Sequence, residues 1–141
     1  MDRIERDILI AAPLDKVWDL VTQMGFWVSL ETPPAGGYRP GDTVVTTHSG
    51  DRYPIRVVDI RPKTYVSYRW ASAFPNEEPG EANSTLVEFT LDVEGDGVRL
   101  TVVESGFDAL PGSEALRRKA FEDNTGGWPE ELDDLRKRAE S

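Results

Sequence analysis

The central part of the chain alternates between apolar and polar residues in the way that a half-buried sheet requires. After Asp42, segments rich in β-branched and aromatic residues follow one another, with turn signals such as Gly-Asp-Gly at residues 95–97 between them. The predicted strands cover residues 42–48, 53–60, 64–74, 84–94 and 98–104. A further strand over residues 3–12 ends at Pro13. The pattern predicts six strands, joined mostly as an antiparallel meander.

The apolar spacing changes to a helical period on both sides of this region. After Pro13 the stripe consists of Val17, Leu20, Val21 and Met24. A second short helix or turn is expected over residues 26–30. Near the C-terminus, Ser113 is expected to cap a short helix that holds Leu116, Ala120 and Phe121. A longer helix presents Trp128, Leu132, Leu135 and Ala139 on one face.

Proline is tolerated in the first turn of a helix and disrupts its interior. Pro129 therefore predicts that the longer helix starts near Thr125 or Gly126. The fold class that follows is α+β. A single domain over residues 1–141 has a curved antiparallel six-stranded sheet packed on a long C-terminal helix, with two short helices after the first strand. Such an arrangement is expected to leave a chamber between sheet and helix.

One acidic residue interrupts the apolar face of the last strand. Val98, Leu100, Val102 and Glu104 share that face by alternation. A buried carboxylate needs hydrogen bonds or a cation to replace water. Glu104 could lie half solvated at the strand end, bonded to backbone N–H groups or an arginine, which is the favoured interpretation. It could instead be a polar contact in a ligand chamber, or a general acid or base with a raised pKa.

Composition narrows the function classes. The chain has 141 residues, a net charge of −10 and a pI of about 4.5, which disfavours nucleic acid and membrane as partners. It has no cysteine and one histidine, His48, so thiolate sites and zinc sites with several imidazoles are excluded. We expect no metal, no cofactor and a cytoplasmic location.

Aromatic residues exceed what a minimal core uses. Simple packing explains Trp18, Phe26 and Phe121. Others should reach the inner face of the sheet or the helices beside it, where aromatic walls hold small apolar ligands. The predicted ligand-binding residues are Trp27, Tyr68, Trp70, Phe89, Glu104, Phe107 and Trp128. A buried Tyr68 hydroxyl needs a partner, and Glu104 or a ligand is expected to supply it.

Three segments in this order resemble a known family: residues 12–22 (APLDKVWDLVT), 99–107 (RLTVVESGF) and 124–135 (NTGGWPEELDDL). The chain resembles the helix-grip fold of the START-like (SRPBCC) superfamily, and within it the domain related to the Hsp90 ATPase activator. The resemblance spans essentially the whole chain. It implies the fold directly, whereas the superfamily hosts lipid binders, cyclases and other functions.

The leading hypothesis is a non-enzymatic protein that binds a small, largely apolar or aromatic molecule between its sheet and its C-terminal helix. One alternative is an enzyme of the cyclase or hydrolase kind, with Glu104 or Tyr68 as the acid or base. Another, implied by the resemblance, is an Hsp90-related co-chaperone. A homodimer is compatible with each of these functions.

Overall fold

A computed structural model describes residues 2–22, 37–48 and 50–141, with only the backbone of His48 included. The described chain contains six strands, two α-helices and one 3₁₀ turn. The strands are β1 (Arg3–Ile10), β2 (Thr43–His48), β3 (Asp51–Arg61), β4 (Tyr65–Trp70), β5 (Thr85–Glu94) and β6 (Gly97–Ser105). The helices are α1 (Leu14–Val21) and α2 (Glu114–Glu140), and the 3₁₀ turn covers Phe107–Ala109.

All six strands form one antiparallel sheet in the order β1-β6-β5-β4-β3-β2. Strands β2 to β6 form a meander, and β1 pairs beside β6 with Ile4 opposite Glu104. This is the predicted α+β helix-grip architecture, with a curved sheet and a long C-terminal helix. The buried apolar residues of sheet and helices form one core cluster.

Alternating burial fixes which face of the sheet is inner. In β6 the buried residues are Val98, Leu100, Val102 and Glu104, as the alternation predicted. In β5 the buried set ends at Leu91, since Val93 is 63% exposed. Alternation with Val87, Phe89 and Leu91 predicts that Val93 also lies inward, and this prediction is wrong. Val93 pairs with Val98 near the β5–β6 turn, and the core does not extend over its side chain.

Helix α1 presents Val17 and Val21 to the core, as predicted, and Met24 of the same stripe lies outside the described residues. Pro13 sits at its N-cap position with a φ of −65°, where its missing N–H costs nothing. The predicted second short helix at residues 26–30 lies outside the described residues. No helix in the described part of the chain is long and apolar enough to cross a membrane.

The C-terminal region forms one helix of 27 residues, where two were expected. The Ser113 side chain caps it, accepting from the Leu116 N–H at 3.1 Å, as predicted. Pro129 lies inside the helix, so the start predicted near Thr125 or Gly126 is wrong. The pyrrolidine ring is exposed, and only the Thr125 carbonyl loses its helical N–H partner. Burial of Trp128 and Leu132 beside it favours the continuous helix.

Candidate functional site

Glu104 is the acidic residue around which the candidate site is built. It lies one residue before the end of β6, paired with Val87 on one side and Ile4 on the other. Its exposure is 0%, because helix α2 lies over this end of the inner face. The favoured interpretation, a half-solvated carboxylate bonded to backbone N–H groups or an arginine, is therefore wrong.

Four side chains donate hydrogen bonds to the Glu104 carboxylate. Oε1 accepts from the Trp128 indole N–H at 2.8 Å and from the Asn124 amide at 3.1 Å. Oε2 accepts from the Trp70 indole at 2.9 Å, the Thr85 hydroxyl at 2.5 Å and the same Asn124 amide at 3.0 Å. Two donors come from the sheet and two from α2, so this carboxylate joins the two layers.

All four donors are uncharged groups. Burial raises the pKa of Glu104 above its usual value, because a charge in this interior has lost its water. The hydrogen bonds from Thr85, Trp128, Trp70 and Asn124 act in the opposite direction and lower the pKa, without cancelling the effect of burial. The network therefore holds a carboxyl group that takes up a proton more readily than a surface glutamate.

Aromatic rings surround this network on the inner face. The Tyr68 and Phe89 rings lie 6.2 Å apart, and the Trp128 ring contacts Phe89 edge-on at 5.8 Å. The Trp70 ring lies 6.2 Å from Tyr68 and 6.4 Å from Trp128. The Tyr53 ring extends the row, 6.3 Å from Trp70. These five rings, called the aromatic cluster below, are Tyr53, Tyr68, Trp70, Phe89 and Trp128.

Tyr68 is fully enclosed in this cluster. Burial raises the pKa of its hydroxyl well above the usual value, and the negative charges of Glu104 and Glu131 raise it further. The phenol stays protonated at any physiological pH and is a very weak acid. This does not favour the acid–base role considered for Tyr68.

Five of the predicted ligand-binding residues come together around one point: Tyr68, Trp70, Phe89, Glu104 and Trp128. Phe107 packs edge-on against Phe121, with the two ring centroids 5.4 Å apart. Trp27 lies outside the described residues. Within the cluster, Trp70 and Tyr53 keep partial exposure, whereas the other three rings are buried.

Sequence reasoning missed three members of the site: Thr85, Asn124 and Tyr53. Thr85 opens β5 directly opposite Trp70, a neighbour that only the strand register reveals. Asn124 precedes Trp128 by four residues, so both lie on one helix face. The prediction that the helix starts near residue 125 hid this spacing.

The arrangement around Glu104 is better suited to holding the Trp70 and Trp128 side chains in place than to transferring a proton to a substrate. Both carboxylate oxygens already accept hydrogen bonds from protein donors, which leaves little room for a reacting group beside them. The same bonds fix the orientation of the Trp70 and Trp128 indoles. Among residues 2–22, 37–48 and 50–141, no three His or acidic side chains are grouped so that they could hold a metal ion.

Comparison with known families identifies the chain's relatives. The model of the family described as Activator of Hsp90 ATPase homolog 1-like protein matches residues 11–140, nearly the whole chain. The chain belongs to this family. No curated protein matches its sequence. The predicted resemblance is confirmed, and the three segments that carried it lie on α1, on β6 and on the part of α2 that contacts Glu104.

Several solved structures share the fold of this chain. The Aha1 dimer from Colwellia psychrerythraea superposes with a TM-score of 0.73 at 18% identity, over 99% of this chain and 97% of that one. Protein MLL2253 from Mesorhizobium loti superposes with a TM-score of 0.70 at 21% identity, over 96% of this chain and 94% of that one. DynU16, from the dynemicin biosynthetic locus, superposes with a TM-score of 0.70 at 20% identity, over 97% of this chain and 46% of the DynU16 chain. At these identities the likeness concerns the fold alone.

Proposed function

We propose that the protein binds a small, largely apolar molecule on the inner face of its sheet, beside helix α2. The aromatic cluster forms the wall, and Glu104 holds the two indoles of that wall in place. The residues assigned to the site or its support are Trp27, Tyr68, Trp70, Phe89, Glu104, Phe107 and Trp128.

The observation that carries this proposal is the partly exposed Trp70 at the edge of a cluster in which Tyr68, Phe89 and Trp128 are buried. Its indole N–H is bonded to Glu104, so its ring cannot turn freely. Tyr53 lies beside it and is also half-buried. An aromatic surface that is fixed before binding loses little side-chain entropy when a ligand arrives, which favours affinity.

DynU16 adds support of a different kind, since that structural relative belongs to a biosynthetic locus. A shared fold by itself does not transfer a ligand class, so this relative only indicates which kind of molecule to test first.

The proposal is tested by titrating the protein with N-phenyl-1-naphthylamine, a neutral fluorescent aromatic probe. We expect saturable binding, weakened about fivefold in Trp70→Leu, because a well-placed aromatic contact contributes on the order of 1 kcal/mol. Tyr65→Leu is the matched control, since Tyr65 lies on the same strand but on the outer face, bonded to Glu88. Absence of saturable binding by this probe and by a library of neutral apolar compounds would reject the function.

A second candidate function is activation of an Hsp90 ATPase, and the family match favours it. Family membership by itself does not transfer the activity, because one fold hosts several functions. An ATPase assay of an Hsp90 with saturating amounts of this protein decides the question. Stimulation supports the co-chaperone function, and an unchanged rate rejects it.

The dimeric relative from Colwellia makes a homodimer the assembly to test. Light scattering after size exclusion would give the mass directly. A mass near twice 15.8 kDa supports a dimer, and one near 15.8 kDa excludes it at the concentration used.

A further inference from the structure

Thr46 carries a buried hydroxyl whose hydrogen-bonding capacity is unused. The residue is only 4% exposed. Within the described part of the chain, its Oγ1 forms no hydrogen bond. Buried polar side-chain atoms are nearly always paired, and an unpaired one lowers the stability of the fold. A bound ligand that forms a hydrogen bond with this hydroxyl would explain why no protein group does.

The position of Thr46 links it to the proposed binding site. It shares the inner face of β2 with Val44, a member of the core, and pairs directly with Tyr53 on β3. Directly opposite residues on a sheet face lie with their Cβ atoms about 5 Å apart. The Tyr53 ring in turn lies 6.3 Å from the Trp70 ring, so Thr46 stands beside the partly exposed end of the aromatic cluster.

The polar group at the other end of the cluster is already occupied. Both oxygens of Glu104 accept from protein donors, so a ligand gains no free acceptor there. Thr46 differs, because its hydroxyl can both donate and accept. A ligand that lies on the rings therefore meets a satisfied carboxylate at one end and an unsatisfied hydroxyl at the other.

The local charge restricts the ligand further. Glu104 and Glu131 lie near enough to the cluster for their negative charges to act on Tyr68. The whole chain also carries a net charge of −10. An anionic group on the ligand would be repelled by these acids, whereas an uncharged polar group is not.

We propose that the natural ligand is an uncharged aromatic or polycyclic molecule with one hydroxyl or carbonyl group, which hydrogen-bonds to Thr46 Oγ1 while its ring system lies against Tyr53 and Trp70. This inference rests on the proposed binding function and deepens it. It assigns the polar recognition of the ligand to β2 and leaves Glu104 as the support of the aromatic wall.

The first test concerns the ligand-free protein. Thr46→Val keeps the shape of the side chain and removes the unpaired hydroxyl. We expect its Tm to rise by about 3 °C, because a buried unsatisfied group disappears. Thr47→Val, the exposed neighbour on the opposite face of the same strand, is the control and should change little. A fall in Tm for Thr46→Val would mean that the hydroxyl is already bonded, and would overturn the inference.

The second test compares 2-naphthol with 2-methylnaphthalene, which has the same ring and no hydroxyl. In wild type both should bind, as followed by amide chemical shifts. In Thr46→Val the Kd for 2-naphthol should rise about fivefold, as for loss of one hydrogen bond, and the Kd for 2-methylnaphthalene should stay within about twofold. Thr47→Val should bind both probes like wild type.

The outcomes separate this inference from the function beneath it. If both probes bind wild type and Thr46→Val weakens neither selectively, the assignment to Thr46 is overturned while the binding function stands. If neither probe binds wild type and the N-phenyl-1-naphthylamine titration is also negative, the function and the inference fail together.

Discussion

At the scale of single residues, Glu104 is the side chain on which the site depends. A carboxylate in a protein interior is tolerated only when donors replace its lost water. Here two indoles, one hydroxyl and one amide do so, and each of them gains a buried acceptor in return. Glu104 is therefore best understood as the group that organises these four side chains.

Replacing Glu104 with leucine should lower the free energy of unfolding by at least about 3 kcal/mol, because several buried donors lose their acceptor together. Urea unfolding followed by circular dichroism measures the change. Asp92→Leu, an exposed acid on the neighbouring strand, is the control and should shift stability by no more than about 0.5 kcal/mol. Equal effects of the two variants would contradict the role given to Glu104.

The raised pKa of Glu104 predicts a pH dependence with a definite sign. The unfolded chain titrates this carboxyl near its ordinary pKa of about 4.3, and the folded chain above it. Between the two pKa values the folded state binds more protons, so the free energy of unfolding falls as pH rises. The stabilisation is complete below the unfolded pKa and is lost on passing the folded one.

Glu104→Gln removes this titration and serves as the reference. The free energy of unfolding of the wild type minus that of the variant should decrease from about pH 4 up to the folded-state pKa of Glu104. Above that pKa the difference should stay constant. Subtracting the variant cancels the other acids, whose titration both proteins share. A difference that grows with pH would mean that the fold lowers the pKa of Glu104.

At the scale of secondary-structure elements, α2 is held together by its surroundings more than by its own sequence. Gly126, Gly127 and Pro129 are poor helix formers, and all three lie inside it. The same stretch carries Asn124 and Trp128, which bond to Glu104 from above the sheet. The hydrogen bonds and the buried indole compensate for the weak local propensity.

Gly126→Ala should therefore stabilise the protein by about 0.5–1 kcal/mol, because alanine is the better helix former and its Cβ meets no atom within 4 Å. Gly97→Ala is the contrasting variant. A Cβ there would lie 2.6 Å from the Ile10 carbonyl oxygen, so it should destabilise. Thermal unfolding compares the two, and a loss of stability in Gly126→Ala would show that the helix is not regular at that point.

At the scale of the whole molecule, sheet and helix are joined at two places with different chemistry. Towards its C-terminus α2 buries Leu132, Leu135 and Ala139. Near its middle the contact is polar and passes through Glu104. The hydrogen bonds between α2 and Glu104 depend on precise geometry. Weakening them should therefore make the middle of α2 open locally before the rest of the fold.

Trp128→Phe keeps an aromatic ring and removes one donor to Glu104. Native-state hydrogen exchange should show faster exchange of the α2 amides around residue 128, by about tenfold, as expected for loss of a buried charge-assisted bond. Amides of the central strands β5 and β6 should change less. Uniform acceleration through helix and sheet would mean that this contact belongs to the global unfolding unit.

Much of this molecule was predictable from sequence because its signals are local. Alternation in residues 98–104 identified the inner face and placed Glu104 on it, and glycine-rich turns marked the hairpins. The start of α2 was not predictable in the same way. Pro129 is a correct local signal against a helix, and contacts with a sheet far away in the chain outweighed it.

The sequence by itself determined the six strands, the α+β class and the set of aromatic residues, since periodicity and β-propensity act through neighbouring residues. Only the tertiary structure decided that Glu104 is fully buried, that Asn124 and Thr85 complete its hydrogen bonds, and that Phe107 packs against Phe121. These features depend on which strands and helix turns come into contact although they lie far apart in the sequence. Burial and hydrogen-bond pairing arise only from those contacts.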